Sequence, residues 1–193
     1  MSEAKIDRLL AAALHQAIAD LLPMRLEFYE SYLRPRGWRE DAVNLAPVSA
    51  VLSFLRHEDG GTYDVVMTQA AMYAAEWWLE GQGWSVRRAG HFLPVTLRLR
   101  QVGKQAKRHF EHAYRGTKVR VRVRRRRLQL AITGSIFCNQ RDHAAGAQCR
   151  YYVAFLEALV AQDSVRYAGG VDSCRAQGGD TCVVALQPKE EGA

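Results

Sequence analysis

The stretch Thr117–Cys138 reads TKVRVRVRRRRLQLAITGSIFC, and its alternation decides the fold class. Val119, Val121 and Val123 alternate with Arg120, Arg122 and Arg124. Successive side chains of a strand leave opposite faces, so the pattern predicts a half-buried strand with valines inward and arginines in water. Leu128, Leu130 and Ile132 alternate as well, but on the opposite parity. The two parities are reconciled if the chain turns or bulges within Arg124–Arg127. Two antiparallel strands follow, Val119–Arg124 and Leu128–Phe137.

Upstream the period is helical. Ser2–Leu22 carries Ile6, Leu9, Leu10, Ala13, Leu14, Ala17 and Ile18 on one face, with Ser2 as a candidate N-cap. Met24–Leu33 reads as a second helix and Val48–Arg56 as a third, with Pro47 at its first position. Thr62–Glu80 is apolar nearly all round, which predicts a central buried helix. Phe92–Tyr114 is helical and basic, with breaks expected at Pro94 and Gly103. Downstream, Cys149–Ala161 is a helix with Tyr152, Val153, Leu156, Leu159 and Val160 on one face. Short strands Ser164–Tyr167 and Cys182–Leu186 flank glycine pairs at Gly169-Gly170 and Gly178-Gly179, which read as turns. The order predicts an α+β domain: N-terminal helices packed on a small antiparallel sheet, closing as strand-strand-helix-strand-strand. It divides into a helical half, 1–116, a four-cysteine sheet-helix half, 117–187, and a disordered tail, 188–193.

The 193 residues carry a net charge of +7. No apolar run approaches the roughly 20 residues that cross a bilayer. The N-terminus lacks the pattern of a secretory signal, so a cytoplasmic location with reduced thiols is expected. Much of the charge lies in Lys118–Arg127. It reads as a solvated sheet face, or as a site for an acidic protein partner. Nucleic acid is the weaker reading, because no aromatic residue interrupts the run for base stacking.

The four cysteines are Cys138, Cys149, Cys174 and Cys182. Each falls at a predicted element end. Thiols gathered in this way suit zinc, which takes soft ligands in a tetrahedron. The spacing is not that of a C-x-x-C knuckle, so buried, simply packed cysteines remain the other reading.

FCNQRDHAAGAQCRYYVAFLEALV, followed by VDSCRAQGGDTCVVAL, resembles the 4-vinyl reductase domain family, named after a protein of bacteriochlorophyll biosynthesis. Phe137-Cys138, Cys149, Cys174, Gly178 and Cys182 carry the resemblance, which covers the last third of the chain. It implies the fold of certain vesicle-tethering subunits and haem-NO-type sensors, often dimeric, holding small apolar or aromatic ligands between helices and sheet. In phenol-sensing transcription activators such a domain binds zinc through three cysteines and a glutamate. Val171 stands at the glutamate's position here, with Asp172 one residue later. Cys138, His143 or Asp172 is then the replacement, and Cys138 is the expected one, giving a Cys138, Cys149, Cys174, Cys182 site.

Other chemistry is sparse. There is no H-E-x-x-H, G-x-S-x-G, Walker A or dinucleotide fingerprint. His109 and His112 sit three apart among Lys104, Lys107 and Arg108, a basic setting that disfavours a metal. Cys138 with His143 would make a nucleophile pair only if Asp142 oriented it. The Tyr-x-Ser-x-Arg signature of haem sensors is absent. By element, Tyr73 and Trp77 on the central helix, Leu130 and Ile132 on the sheet, and Tyr152 and Val153 on the cysteine helix are the expected pocket lining. These features predict a non-catalytic binding or sensory domain for an apolar or aromatic compound, a tetrapyrrole included, that signals to a partner. The alternatives are an accessory or reductase protein acting on the vinyl group of a chlorophyll precursor, and a scaffold without ligand.

Overall fold

The computed structural model describes residues 4–33, 42–58, 61–81, 94–138, 146–161 and 166–189. The helices are α1 (Arg8–Leu21), α2 (Leu26–Leu33), α3 (Leu45–His57), α4 (Thr62–Gly81), α5 (Val95–Ala113) and α6 (Arg150–Val160). The strands are β1 (Lys5–Asp7), β2 (Ala42–Asn44), β3 (Lys118–Arg124), β4 (Arg127–Thr133), β5 (Tyr167–Ser173) and β6 (Cys182–Pro188). β1 and β2 pair in a small antiparallel sheet, and the main sheet runs β3-β4-β6-β5 with every neighbour antiparallel. The α+β architecture and its closing strand-strand-helix-strand-strand order are as the periodicities require. Among the described residues no single helix is long and apolar enough to cross a membrane.

The hairpin behaves as the parity argument demands. Arg124 pairs with Arg127, so only Arg125 and Arg126 form the turn. Val119, Leu128, Leu130, Ile132, Val184 and Leu186 are buried on the helix-facing side of the sheet. α4 packs between α1 and α6, and its buried stripe of Ala70, Ala71, Ala74 and Ala75 brings their backbones close. Val65 and Met72 are about half exposed, so α4 has one open face and is not enclosed all round.

Five boundaries differ from expectation, each for a local reason. α1 starts at Arg8, since Lys5–Asp7 forms a strand whose Ile6 is buried opposite Val43. That partner lies far along the chain, where local periodicity cannot reveal it. α3 starts at Leu45, which places Pro47 at its third residue, still within the turn whose N–H groups need no helical acceptor. α5 is unbroken at Gly103, where a Cβ would lie 2.5 Å from Val121 Cγ1 and 2.9 Å from Leu128 Cδ1. That glycine lets the helix close on the hairpin. β4 ends at Thr133 and not Phe137, since Gly134 turns the chain with φ +69° against the Gly116 carbonyl. Gly169-Gly170 is strand, not turn: a Cβ at Gly169 would lie 2.5 Å from Val153 Cγ1, so the glycine admits α6 against the sheet.

Candidate metal centre and the aromatic nest beside it

The main sheet delivers all four cysteines to one end. Cys138 follows β4 after the Gly134 turn, Cys149 caps α6, Cys174 follows β5, and Cys182 opens β6 opposite Ile132. All are buried and none forms a disulfide. The sulfurs lie within 4.8 Å of one another. Cys138 Sγ is 3.3 Å from Cys149 Sγ and 3.5 Å from Cys174 Sγ, and Cys149 and Cys174 are 3.4 Å apart. A sulfur tetrahedron about zinc at ~2.3 Å has edges of about 3.8 Å, so a small expansion of this cluster accommodates the ion.

Two backbone N–H groups point at the cluster. The Gln148 backbone N–H donates to Cys174 Sγ at 3.4 Å and that of Arg175 to Cys182 Sγ at 3.5 Å. The thiols of Cys138 and then Cys149 donate to Cys182 and hold its pKa down, against the opposing effect of burial. Cys149 is pushed up, first by its bond with Cys138 and then by that with Cys182. For Cys138 the bond with Cys149 is the largest single effect and lowers it. The bond with Cys182 and burial together outweigh that, and the net shift is upward. The shared thiol bonds thus favour the thiolate at Cys182 and the thiol at Cys138 and Cys149, and a bound divalent ion would favour the thiolate form of its sulfur ligands.

A second layer fixes the loops. Arg56 of α3 donates to the Phe137 carbonyl at 2.6 Å and to Gln148 Oε1 at 3.2 Å. The Tyr63 hydroxyl donates to the Gln148 carbonyl at 3.2 Å. Such contacts orient metal ligands through their backbones. Asp172 is elsewhere. It sits at a bulge of β5, where Arg127 grips it at 2.5 and 2.7 Å and Gln129 at 2.8 Å on the opposite face of the sheet. It therefore lies apart from the cluster, where Cys138 is the fourth sulfur that could hold a metal. Val171 pairs with Val184 within the sheet. His143 and Asp142 lie outside the described residues, and with them the proposed nucleophile pair.

Next to the cysteines lies an aromatic nest. Phe137 follows β4, Tyr151 and Tyr152 lie in the first turn of α6, and Phe155 lies in its second. Phe137 and Tyr151 approach to 4.8 Å between centroids, and Phe110 and Tyr152 to the same distance. His109 of α5 lies flat on Phe155 at 4.2 Å with an interplanar angle of 3°, and edge-on to Trp78 of α4 at 5.2 Å. Its Nε2 is 3.0 Å from the Tyr151 hydroxyl. Burial, helped by the charge of His112, lowers its pKa to about 3, so the ring is neutral. His109 Nδ1 and Trp78 Nε1 are buried without a hydrogen-bond partner among the described residues. Buried polar atoms are nearly always satisfied, so two orphans in one nest call for a ligand or water.

Of the six expected lining residues, Tyr152 belongs to this nest, its hydroxyl 3.0 Å from Ser135 Oγ. Leu130, Ile132 and Val153 are core residues of the helix–sheet interface. Tyr73 and Trp77 stack on each other at 5.7 Å on the α1 side of α4, where the Tyr73 hydroxyl donates to Asp20. A separate surface groove of about 450 Å³ runs between α4 and α6 over Met72, Leu79, Ala154 and Ala158, rimmed by Glu76, Glu80 and Glu157. His109 itself was hidden by basic neighbours. Its signal is the spacing Leu99, Val102, Ala106, His109, Phe110, Ala113, a buried helical stripe in which His109 is the one polar member. His112 is largely exposed and shares none of this setting.

No family model matches the sequence, and neither does any curated protein. Solved structures do. An H-NOX protein from S. oneidensis in the Fe(II)NO ligation state superposes with a TM-score of 0.60 at 10% identity, covering 94% of this chain and 98% of that one. Subunit 3 of a trafficking protein particle complex from Naegleria fowleri, covalently bound to palmitic acid, gives 0.50 at 10% identity over 93% and 95% of the two chains. The phenol-responsive sensory domain of the transcription activator PoxR with phenol gives 0.47 at 14% identity, over 78% and 77%. The chain has the fold of the first two along nearly its whole length.

Proposed function

We propose that this chain is a non-catalytic sensory domain of the 4-vinyl reductase type, which binds a small aromatic or apolar compound and passes its state to a partner protein. The observation that carries the reading is the pair of orphaned polar atoms, His109 Nδ1 and Trp78 Nε1, inside a nest of rings joined to the cysteine cluster. A ring bearing one hydroxyl or amino group offers a donor and an acceptor to such atoms among aromatic neighbours, the usual composition of a ligand site.

A structural zinc on Cys138, Cys149, Cys174 and Cys182 belongs to this reading. When bound, the ion supplies a fixed cross-link and neutralises thiolate charge. The residues do the rest. Cys149 at the start of α6 and Cys182 at the start of β6 are tied at one point, so a shift of α6 about the nest reaches the sheet. Haem fits poorly. The face of His109 is covered by Phe155 at 4.2 Å and its Nε2 is engaged by Tyr151. The ring is packed flat on Phe155 and edge-on to Trp78, a close setting that favours a smaller aromatic ligand over a tetrapyrrole. A homodimer is part of the proposal on the family resemblance alone.

Thermal melts against phenols, indoles, fatty acids and tetrapyrroles test the reading. A true ligand at about 100 times its Kd adds roughly 2.7 kcal/mol, a rise of several degrees. His109→Leu and Trp78→Phe should each abolish the rise while leaving a folded protein. A flat response across the panel contradicts the proposal.

A further inference from the structure

The fold leaves one surface that the sensory reading does not use. Lys118, Arg120, Arg122 and Arg124 project from β3 away from the helices, and the inward Val119 is buried. At the tip, Arg125 and Arg126 both adopt positive φ, 48° and 61°. Two positive φ values in a two-residue hairpin loop define a type I′ turn, which strongly prefers Asn-Gly and disfavours long side chains. Arginines at both positions work against the local preference of the backbone. Residues held in such conformations cluster at functional sites.

The hairpin also forms a concavity. Arg122, Arg124 and Arg126 rim a basin of about 890 Å³ whose floor is Ala168 and Gln187, closed on the far side by Lys189. Asp172 is the acid beside it, and Arg127 and Gln129 already occupy that carboxylate. The remaining guanidinium groups face solvent without a recorded carboxylate partner among the described residues.

We propose that this basin binds an extended acidic segment of a partner protein. Alternate residues of a strand repeat at roughly 6.8 Å, so Arg122 and Arg124 in the basin, continued by Arg120 along β3 beyond it, form a ruler that matches acidic side chains at every second position of an extended peptide. The small floor side chain lets a peptide backbone lie low, and Gln187 offers an amide group to it. Among the described residues no aromatic side chain lines the basin, so they offer nucleobases no stacking platform. The same arginines repel a second copy of this edge, so the partner is a different chain or a different surface. The inward residues of the hairpin, Val121 and Leu128, rest on Gly103 of α5, the helix that carries His109. The basin therefore lies one packed layer from the nest. The inference deepens the proposed sensory role and rests on it only for the existence of a partner.

The test is fluorescence anisotropy on the full chain with a labelled peptide of alternating Glu and Thr. Binding that weakens steeply with salt is expected, and roughly tenfold weakening for Arg122→Gln/Arg124→Gln. Replacing Arg125-Arg126 by Asn-Gly should weaken binding as much while leaving the melting temperature equal or higher. A peptide of the same composition with its acids in one block should bind several-fold less well. Equal binding by wild type and variants overturns the proposal, as does tighter binding to single-stranded or duplex DNA or to anionic vesicles. Zinc content and the melting shift with phenols should be unchanged in the hairpin variants, so failure here is distinguishable from failure of the sensory reading.

Discussion

Strands β4 and β6 join two sites of opposite character. At one end Ile132 pairs with Cys182, and four buried thiols meet among backbone donors and aromatic rings. Four residues along, roughly 14 Å away, Leu128 pairs with Leu186 and the chain turns through Arg125 and Arg126. The cysteine end is buried, and most of its polar groups are hydrogen-bonded. The arginine end is exposed, charged and held in a backbone conformation its residues resist. With the proposed zinc bound, the first would be a clamp that fixes four segments relative to one another. The second contributes little to cohesion and keeps its charge available. Stability should therefore concentrate at the cysteine end and be given up at the arginine end, and mutations can test that gradient.

The largest effect is expected at the clamp. Cys149→Ser should remove the metal and cost more than about 4 kcal/mol, read as a collapse of the urea midpoint. A loss below about 1 kcal/mol would mean that the cysteines merely pack. Next comes Gly134→Ala, on the path from β4 to Cys138. Its φ is +69° and a Cβ would meet the Gly116 carbonyl oxygen at 2.1 Å, so about 2–4 kcal/mol should be lost.

Between the two ends, His109 sets a pH dependence. Its folded pKa of about 3 lies below the value near 6.5 of the unfolded chain. Between those values the unfolded chain binds more protons, so stability is complete above about pH 6.5 and falls toward pH 3. The slope contributed is about 1.4 kcal/mol per pH unit. His109→Phe should flatten the difference in urea stability between pH 7.5 and pH 5. An unchanged slope would mean that the imidazole is not held neutral.

The smallest effect has the opposite sign. Arg125-Arg126→Asn-Gly should raise stability by about 1 kcal/mol by relieving the left-handed turn. A destabilised protein would show that the arginines serve the fold.

Both ends were legible in the sequence to different depths. The parity switch between Val123 and Leu128 located the turn to within four residues, because alternation is a local signal. It could not show positive φ at two arginines, since their neighbours suggested nothing but charge. The cysteines stood out as a group, and their sulfurs do gather, while strand pairing turns Asp172 outward to Arg127 and away from them. Lys5–Asp7 was unreadable as a strand because its partner, Ala42–Asn44, is distant in sequence. His109 was readable only through the spacing of its apolar companions, not through its basic neighbours.

The central claim is that the four cysteines form one zinc-thiolate centre. X-ray absorption at the zinc edge, on protein expressed with sufficient metal, tests it most directly. One zinc per chain with four sulfur neighbours at ~2.3 Å is the predicted result. Far less than one zinc per chain, or a shell containing nitrogen or oxygen in place of a sulfur, would contradict it.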